Sequence, residues 1–282
     1  MKLFRSISYF SQLRALIGLR AACTFTLVHM WNKINPPREG RLALVPVGSY
    51  VFYFPSLDYF VGLFTEIFFR ETYFIPHTDK PIRVIDCGAN IGMSLLYIKI
   101  RAPHAQVLCL EPNPDARAVL ERNITANNWT EEVQVLPYAL GKKKGVANFY
   151  VDKKVATSSG GRIDSSMEDA GQNANSYQVE VDTLSHHIHG TIDILKMDIE
   201  GGEFDALEEL VAQDALQYID TLQLEYHYIP GSFTRPLSDM LVLLESNGFR
   251  TFTEPTALPH QVVGQNISHA YMIFAWQPKK IN

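Results

Sequence analysis

A chain of 282 residues with 46% hydrophobic and 20% charged side chains can bury a sizeable core, which excludes a disordered or low-complexity protein. Its net charge of −5 excludes a general nucleic-acid binder, which would carry a basic face. Three widely spaced cysteines, Cys23, Cys87 and Cys109, make neither a disulfide framework nor a zinc pattern and suit a reducing cytoplasm.

The charge is unevenly spread. Residues 1–41 hold seven basic side chains (Lys2, Arg5, Arg14, Arg20, Lys33, Arg38, Arg41) against Glu39, so this segment is +6 and the remainder −11. The apolar runs ALIGL and AACTFTLVHMW are separated by Arg20, so neither reaches the roughly 20 residues that span a bilayer. No clean cleavage pattern of a signal peptide follows them. Two expectations stand for this extension: an amphipathic helix making peripheral contact with an anionic membrane, or a helix packed on the domain. Asn-x-Ser/Thr triplets at Asn123, Asn128 and Asn266 carry no weight, since such triplets arise often by chance.

Next, LALVPVGSYVFYFPS mixes β-branched and aromatic residues and predicts one or two strands. From Asp58, DYFVGLFTEIFFRETYF has helical spacing, and its aromatic stripe reads as packing surface. Residues 42–80 thus form a strand and helix cap on a domain over 81–282. From Ile82 the pattern is rhythmic: strand IRVIDCG, helix Asn90 to Arg101, strand QVLCLEP, helix Pro114 to Asn127, strand VQVLPYAL. Later come IDILKMDI, helix GGEFDALEELV, strand DTLQLEYH, helix PLSDMLVLLESNG, and closing strands FRTFTEP and AYMIFAW. Strands alternating with helices predict an α/β fold with a mainly parallel sheet covered on both faces. Residues 154–176, polar and glycine-rich, read as a long loop, either a lid or a variable insertion.

In such a sheet, ligands bind beyond the carboxyl ends of the strands, where strand order reverses. VIDCGANIGMSLLYI breaks a strand with Asp86, then Gly88, Asn90 and Gly92, and then opens a helix. Glycines allow close backbone approach, and the helix start offers free N–H donors. Asp86 would repel a phosphate but suit an ammonium group, as in the amino-acid part of S-adenosylmethionine. Glu111, at the next strand tip, has the chemistry to accept both ribose hydroxyls.

DCGANIGMS, LEPNP, PYALG and LKMDIEGGEFDAL resemble the FkbM family of S-adenosylmethionine-dependent methyltransferases, over roughly Ile82 to Phe249. The resemblance implies a Rossmann-like, seven-stranded class I methyltransferase sheet and O-methylation of a small-molecule hydroxyl, on a sugar, natural product or lipid-linked acceptor. It also implies that Asp86, Gly88, Asn90 and Gly92 line the methionine part of the cofactor. Glu111 would hold the ribose, with Asn113, Tyr138 and Ala139 near the adenine.

A second constellation lies downstream. Period two sends Lys196, Asp198 and Glu200 to one strand face, and Glu225 and His227 end the following strand. These five are the catalytic candidates, and three roles compete. His227 or Asp198 acts as general base, Asp198, Glu225 and His227 hold a divalent cation, or the groups are structural pairs. His186, His187 and His189 read as solvated, and Lys142–Lys144 as a charged turn. Tyr226 and Tyr228 either flank the acceptor or pack. Two further functions remain open: a nucleotide-dependent oxidoreductase or sugar-modifying enzyme, which Asp86 argues against, and a membrane-associated, non-catalytic protein of the same fold.

Overall fold

The computed structural model describes residues 41–152, 174–228, 235–256 and 269–278, with Thr26, Met30 and Ile34 as isolated helical positions. The membrane expectation for residues 1–41 falls almost wholly outside these residues, as does most of the 154–176 loop. Among the described residues no helix is long and apolar enough to cross a membrane.

The central sheet has seven strands. They are β3 (Arg83–Cys87), β4 (Gln106–Leu110), β5 (Val133–Leu136), β9 (Ile192–Met197), β10 (Ile219–Tyr228), β11 (Arg250–Pro255) and β12 (His269–Trp276). Their order is β11-β12-β10-β9-β3-β4-β5, parallel except for β12, which runs antiparallel to both neighbours. Order reverses between β3 and β9, so a crevice opens beyond their carboxyl ends.

Period-two alternation explains why both faces are covered. Val84, Val107, Ile194 and Met272 face one core, against helices α2 (Met93–Arg101) and α3 (Pro114–Ala126). Ile85, Leu110, Leu195, Leu222 and Ile273 face the other, against α4 (Glu203–Ala212) and α5 (Leu237–Ser246). Each fully buried Leu or Ile contributes about 1.5–3 kcal/mol over its exposed state.

The cap over residues 42–80 is a hairpin, β1 (Ala43–Val47) and β2 (Tyr50–Phe54), then helix α1 (Leu57–Phe64), then a π-helical turn at Thr65–Phe69. Its aromatic stripe packs internally as Phe54–Phe60, Phe60–Phe64 and Phe64–Phe68 contacts, with ring centroids 4.7, 5.5 and 4.3 Å apart. Asn123 of α3 and Asn127 at its C-cap hold the hairpin by its outer edge. Asn127 pairs with the N–H and carbonyl of Val51, both at 2.8 Å. Asn123 does the same for Tyr53 at 2.7 and 3.1 Å. Asn123 is fully buried, so its Asn-x-Thr triplet is part of the core.

The run expected as one strand, VQVLPYAL, is two. Proline lacks an N–H to continue the ladder, and the chain leaves the central sheet at Pro137. β6 (Ala139–Leu140) then joins β7 (Gly145–Asp152) and β8 (Ala174–Asp182) in a separate three-stranded sheet, in the order β6-β8-β7.

Candidate active site

A cleft of about 530 Å³ lies over the switch point, within the roughly 300–1,000 Å³ of small-molecule sites. Its walls come from the loop after β3, the tips of β4, β9 and β10, the three-stranded sheet, and α1 with its π-helical turn.

One end is built on the glycine loop. The N–H groups of Gly88 and Ala89 donate to the Leu110 carbonyl at 2.9 and 3.2 Å, folding the loop onto the tip of β4. Gly88 has a φ of +79°, and a Cβ there would lie 1.8 Å from the Asp198 carbonyl oxygen, so only glycine fits. Asn90 also takes the left-handed conformation, at φ +50°. Its N–H donates to Glu111 Oε2 at 2.8 Å, and the Asn113 N–H donates to Oε1, also at 2.8 Å. Glu111 is buried on the cleft wall, and each oxygen keeps a lone pair for a further donor. Burial pushes its pKa up from 4.5 to about 7, although the two N–H bonds pull the other way.

Asp86, expected to face the ammonium of a donor, is not among the residues that line the cleft. It is fully buried, with Ser94 Oγ donating to Oδ2 at 2.5 Å and Lys196 Nζ 3.0 Å from Oδ1. Lys196 directs hydrogen bonds to the carbonyls of Cys87 and Gly88, at 3.3 and 2.8 Å, and meets Asp86 as a charge. Burial alone would lower the Lys196 pKa, but Asp86 and Asp198 outweigh it and hold the ammonium protonated. Gly92, at φ +90°, is the N-cap of α2, and a Cβ there would lie 2.7 Å from Leu120 Cδ1. Asn113 is buried and caps α3 by accepting the Asp115 N–H at 3.0 Å. Tyr138 and Ala139 line the cleft, and the Tyr138 ring stacks on His187 at 5.8 Å.

The other end is acidic. β9 stops at Met197, so the period-two placement of Lys196, Asp198 and Glu200 on one strand face is corrected: Lys196 alone lies in the strand. Asp198 and Glu200 follow in a loop where Glu200 adopts φ +60°. Asp198, Glu200, Glu225 and His227 all reach the cleft. Glu203, fully buried at the start of α4, organises this loop with one oxygen. Its Oε1 accepts the N–H groups of Ile199 and Gly201, at 3.2 and 3.0 Å, and meets His227 Nδ1 at 3.0 Å. His227 Nε2 then lies 3.4 Å from Glu200.

Burial would lower the His227 pKa, yet the Glu203 hydrogen bond and the charges of Glu203, Glu200 and Asp198 raise it well above the ordinary range. Glu225 is raised to about 8, by burial first and then by Asp198. Asp198, Glu200 and His227 each offer a ligand atom within 4.8 Å of the others, so Glu200 takes the place expected of Glu225 in the candidate cation set among the described residues.

Three participants were not anticipated. Glu66, on the π-helical turn, lines the acidic end, its pKa raised by burial and then by Asp198. Tyr73 donates to Asp198 Oδ2 at 3.4 Å, and Glu203 is the hub. Glu66 and Tyr73 were hidden inside the aromatic stripe, whereas Glu203 sits within the most distinctive run, LKMDIEGGEF. His186 and His187 contact Asp182 at 2.9 and 3.3 Å. Lys142 meets Asp205 and Glu208 at 3.1 and 2.6 Å, and Tyr226 is buried, donating to the Arg235 carbonyl at 2.7 Å.

The seven-stranded sheet with one antiparallel strand, and a cleft at its reversal point, define a Rossmann-like class I methyltransferase fold. Residues 86–251, more than half of the chain, match the methyltransferase FkbM domain, and the chain belongs to that family. Methyltransferase 1 of Beauveria bassiana (strain ARSEF 2860) is 27% identical over 206 residues, covering 67% of this chain and 80% of that protein. Methyltransferase sdnD of Sordaria araneosa is 35% identical over 83 residues, covering 29% of this chain and 32% of that protein. The crystal structure of methyltransferase FkbM from Methylobacillus flagellatus KT aligns with a TM-score of 0.48 and 17% identity, over 75% of this chain and 47% of that one.

Proposed function

We propose that this methyltransferase moves a methyl group from S-adenosylmethionine to a hydroxyl oxygen of a small molecule. One observation carries the reading: Glu111 is fixed by two N–H groups at a strand tip, beside a glycine loop, with acceptor capacity left over. That is the chemistry a ribose diol needs. The donor supplies an electrophilic methyl on a sulfonium centre, and the acidic end of the cleft favours that positive charge over water. In the transfer, the carbon–sulfur bond breaks as the carbon–oxygen bond forms, and the acceptor proton must leave.

His227 and Lys196 are held protonated, so neither is a free base. Of the two base candidates, His227 and Asp198, Asp198 lines the cleft and is assigned the proton, with Tyr73 orienting its carboxylate. Lys196 then acts through Asp86 and the loop carbonyls, as a positioning residue. The enzyme's contribution is alignment and proton removal, with no covalent intermediate.

Calorimetry with S-adenosylmethionine tests the donor site. Wild type should bind, and Glu111→Ala should weaken binding by about ten- to a hundredfold, as lost hydrogen bonds to a charged group imply. Unchanged affinity in the variant would refute the assignment.

A second reading adds a divalent cation at Asp198, Glu200 and His227. Mixed carboxylate and imidazole donors suit manganese or zinc, and the Glu203 contact to Nδ1 leaves Nε2 to bind metal. Such an ion would lower the acceptor hydroxyl pKa. Titration with Mn²⁺, followed by heat and by melting temperature, should show binding that His227→Ala abolishes; no heat in wild type sinks this reading.

A further inference from the structure

Helix α1 lies ahead of the residues that match the family, yet one of its faces runs along the cleft. Tyr59, Leu63 and Glu66 recur at helical spacing, and Leu63 and Glu66 line the cavity. Tyr59 makes a different contact: its phenol donates to Asn90 Oδ1 at 2.7 Å. The same oxygen accepts the Ile91 N–H at 2.7 Å, and the Asn90 N–H donates to Glu111 at 2.8 Å. A single line of hydrogen bonds therefore joins the cap to the carboxylate at the tip of β4.

We propose that Tyr59 is a positioning residue for donor binding, holding Asn90 in its left-handed conformation so that its N–H stays on Glu111. An asparagine at φ +50° is tolerated because its side chain can bond locally, and here the oxygen that does so is shared with the phenol. Remove the phenol and that oxygen loses one of the hydrogen bonds that fix it. The peptide is then freer to rotate away from the carboxylate. The cap and the loop also share an anchor, because Asn123 donates both to the Tyr53 carbonyl at 3.1 Å and to the Ile91 carbonyl at 2.9 Å. A merely structural tie would therefore be redundant with Asn123; the Tyr59 contact is aimed at one of the two residues, Asn90 and Asn113, whose N–H groups hold Glu111.

This inference rests on the donor reading above, and its test separates the two. S-adenosylhomocysteine binding is measured by calorimetry for wild type, Tyr59→Phe, and Tyr50→Phe, together with ligand-free melting temperatures. Tyr50 is the control, since its phenol donates to the Lys99 carbonyl at 3.2 Å from the same cap but outside the cleft lining.

Tyr59→Phe should weaken binding about three- to tenfold, the loss of one hydrogen bond, while Tyr50→Phe leaves affinity unchanged. On an Asn90→Gly background, Tyr59→Phe should cost no further affinity. Equal affinity of Tyr59→Phe and wild type, equal losses in both phenol variants, or additive losses with Asn90→Gly would each overturn the assignment. No binding by wild type removes the donor reading and this inference with it.

Discussion

Asp86 and Lys196 are register partners on the neighbouring parallel strands β3 and β9, and their side chains meet at 3.0 Å with almost no exposure to solvent. The contact joins the two strands at the point where sheet order reverses. Lys196→Met leaves a buried carboxylate without its cation, which should cost about 3–5 kcal/mol. Asp86→Leu with Lys196→Met should recover much of that loss, because an apolar pair needs no desolvation of charge. Urea unfolding of the single and double variants measures both. A single variant as stable as wild type would show that the pair is not energetically linked.

Glu111 makes stability fall with rising pH. Its folded-state pKa, about 7, lies above the ordinary 4.5, so the folded protein holds this proton more tightly than the unfolded chain. The associated stability is fully present below pH 4.5 and is lost as pH rises through 7. The span corresponds to about 3 kcal/mol. Glu111→Gln should therefore gain on wild type in urea midpoint between pH 5 and pH 8. A constant difference across that range would contradict the raised pKa.

Glu203 controls the charge of His227. In wild type the imidazole should stay protonated well above pH 6.5, because its partners outweigh burial. Glu203→Gln keeps an oxygen for the loop N–H groups and removes the negative charge, so the His227 pKa should drop. Carbon-13 chemical shifts of the labelled imidazole, followed against pH, report this. A wild-type His227 that titrates at or below 6.5 would remove the argument that it is a poor base.

Gly88 tolerates no side chain. Gly88→Ala would drive a Cβ into the Asp198 carbonyl, at 1.8 Å, from a backbone already at φ +79°. The separation of β3 from the β9 tip would have to grow, at a cost of about 2–4 kcal/mol and with loss of donor affinity. Gly145→Ala, where a Cβ would meet nothing within 4 Å, is the control and should leave the melting temperature nearly unchanged.

Strand tips were legible in the sequence because chemistry and periodicity coincide there. IRVIDCGANIG, QVLCLEP and LKMDIEGGEF each end an apolar run with an acid, and Asp86, Glu111 and Asp198 all lie at the reversal point. Which acid faces the cleft was not legible. Asp86 and Glu111 look alike locally, and what separates them is Lys196, 110 positions from Asp86 in the chain but opposite it in the sheet. Period-two counting failed at Glu200 because it assumes an extended chain, and the chain turns after Met197. Glu66 and Tyr73 were masked by the phenylalanines around them, since an aromatic stripe signals burial whether or not a polar neighbour points into a cavity.

The Asn123 amide on α3 and the Asn127 amide at its C-cap have a consequence for strand pairing. A two-stranded aromatic hairpin exposes an unsatisfied outer rim, which is a template for another chain to add a strand. Asn123 and Asn127, one helical turn apart, reproduce the donor and acceptor spacing of alternate strand residues and saturate that rim at Tyr53 and Val51. Two side-chain amides thus stand in for a third strand, and the rim of β2 is closed at these two residues to pairing with a further strand.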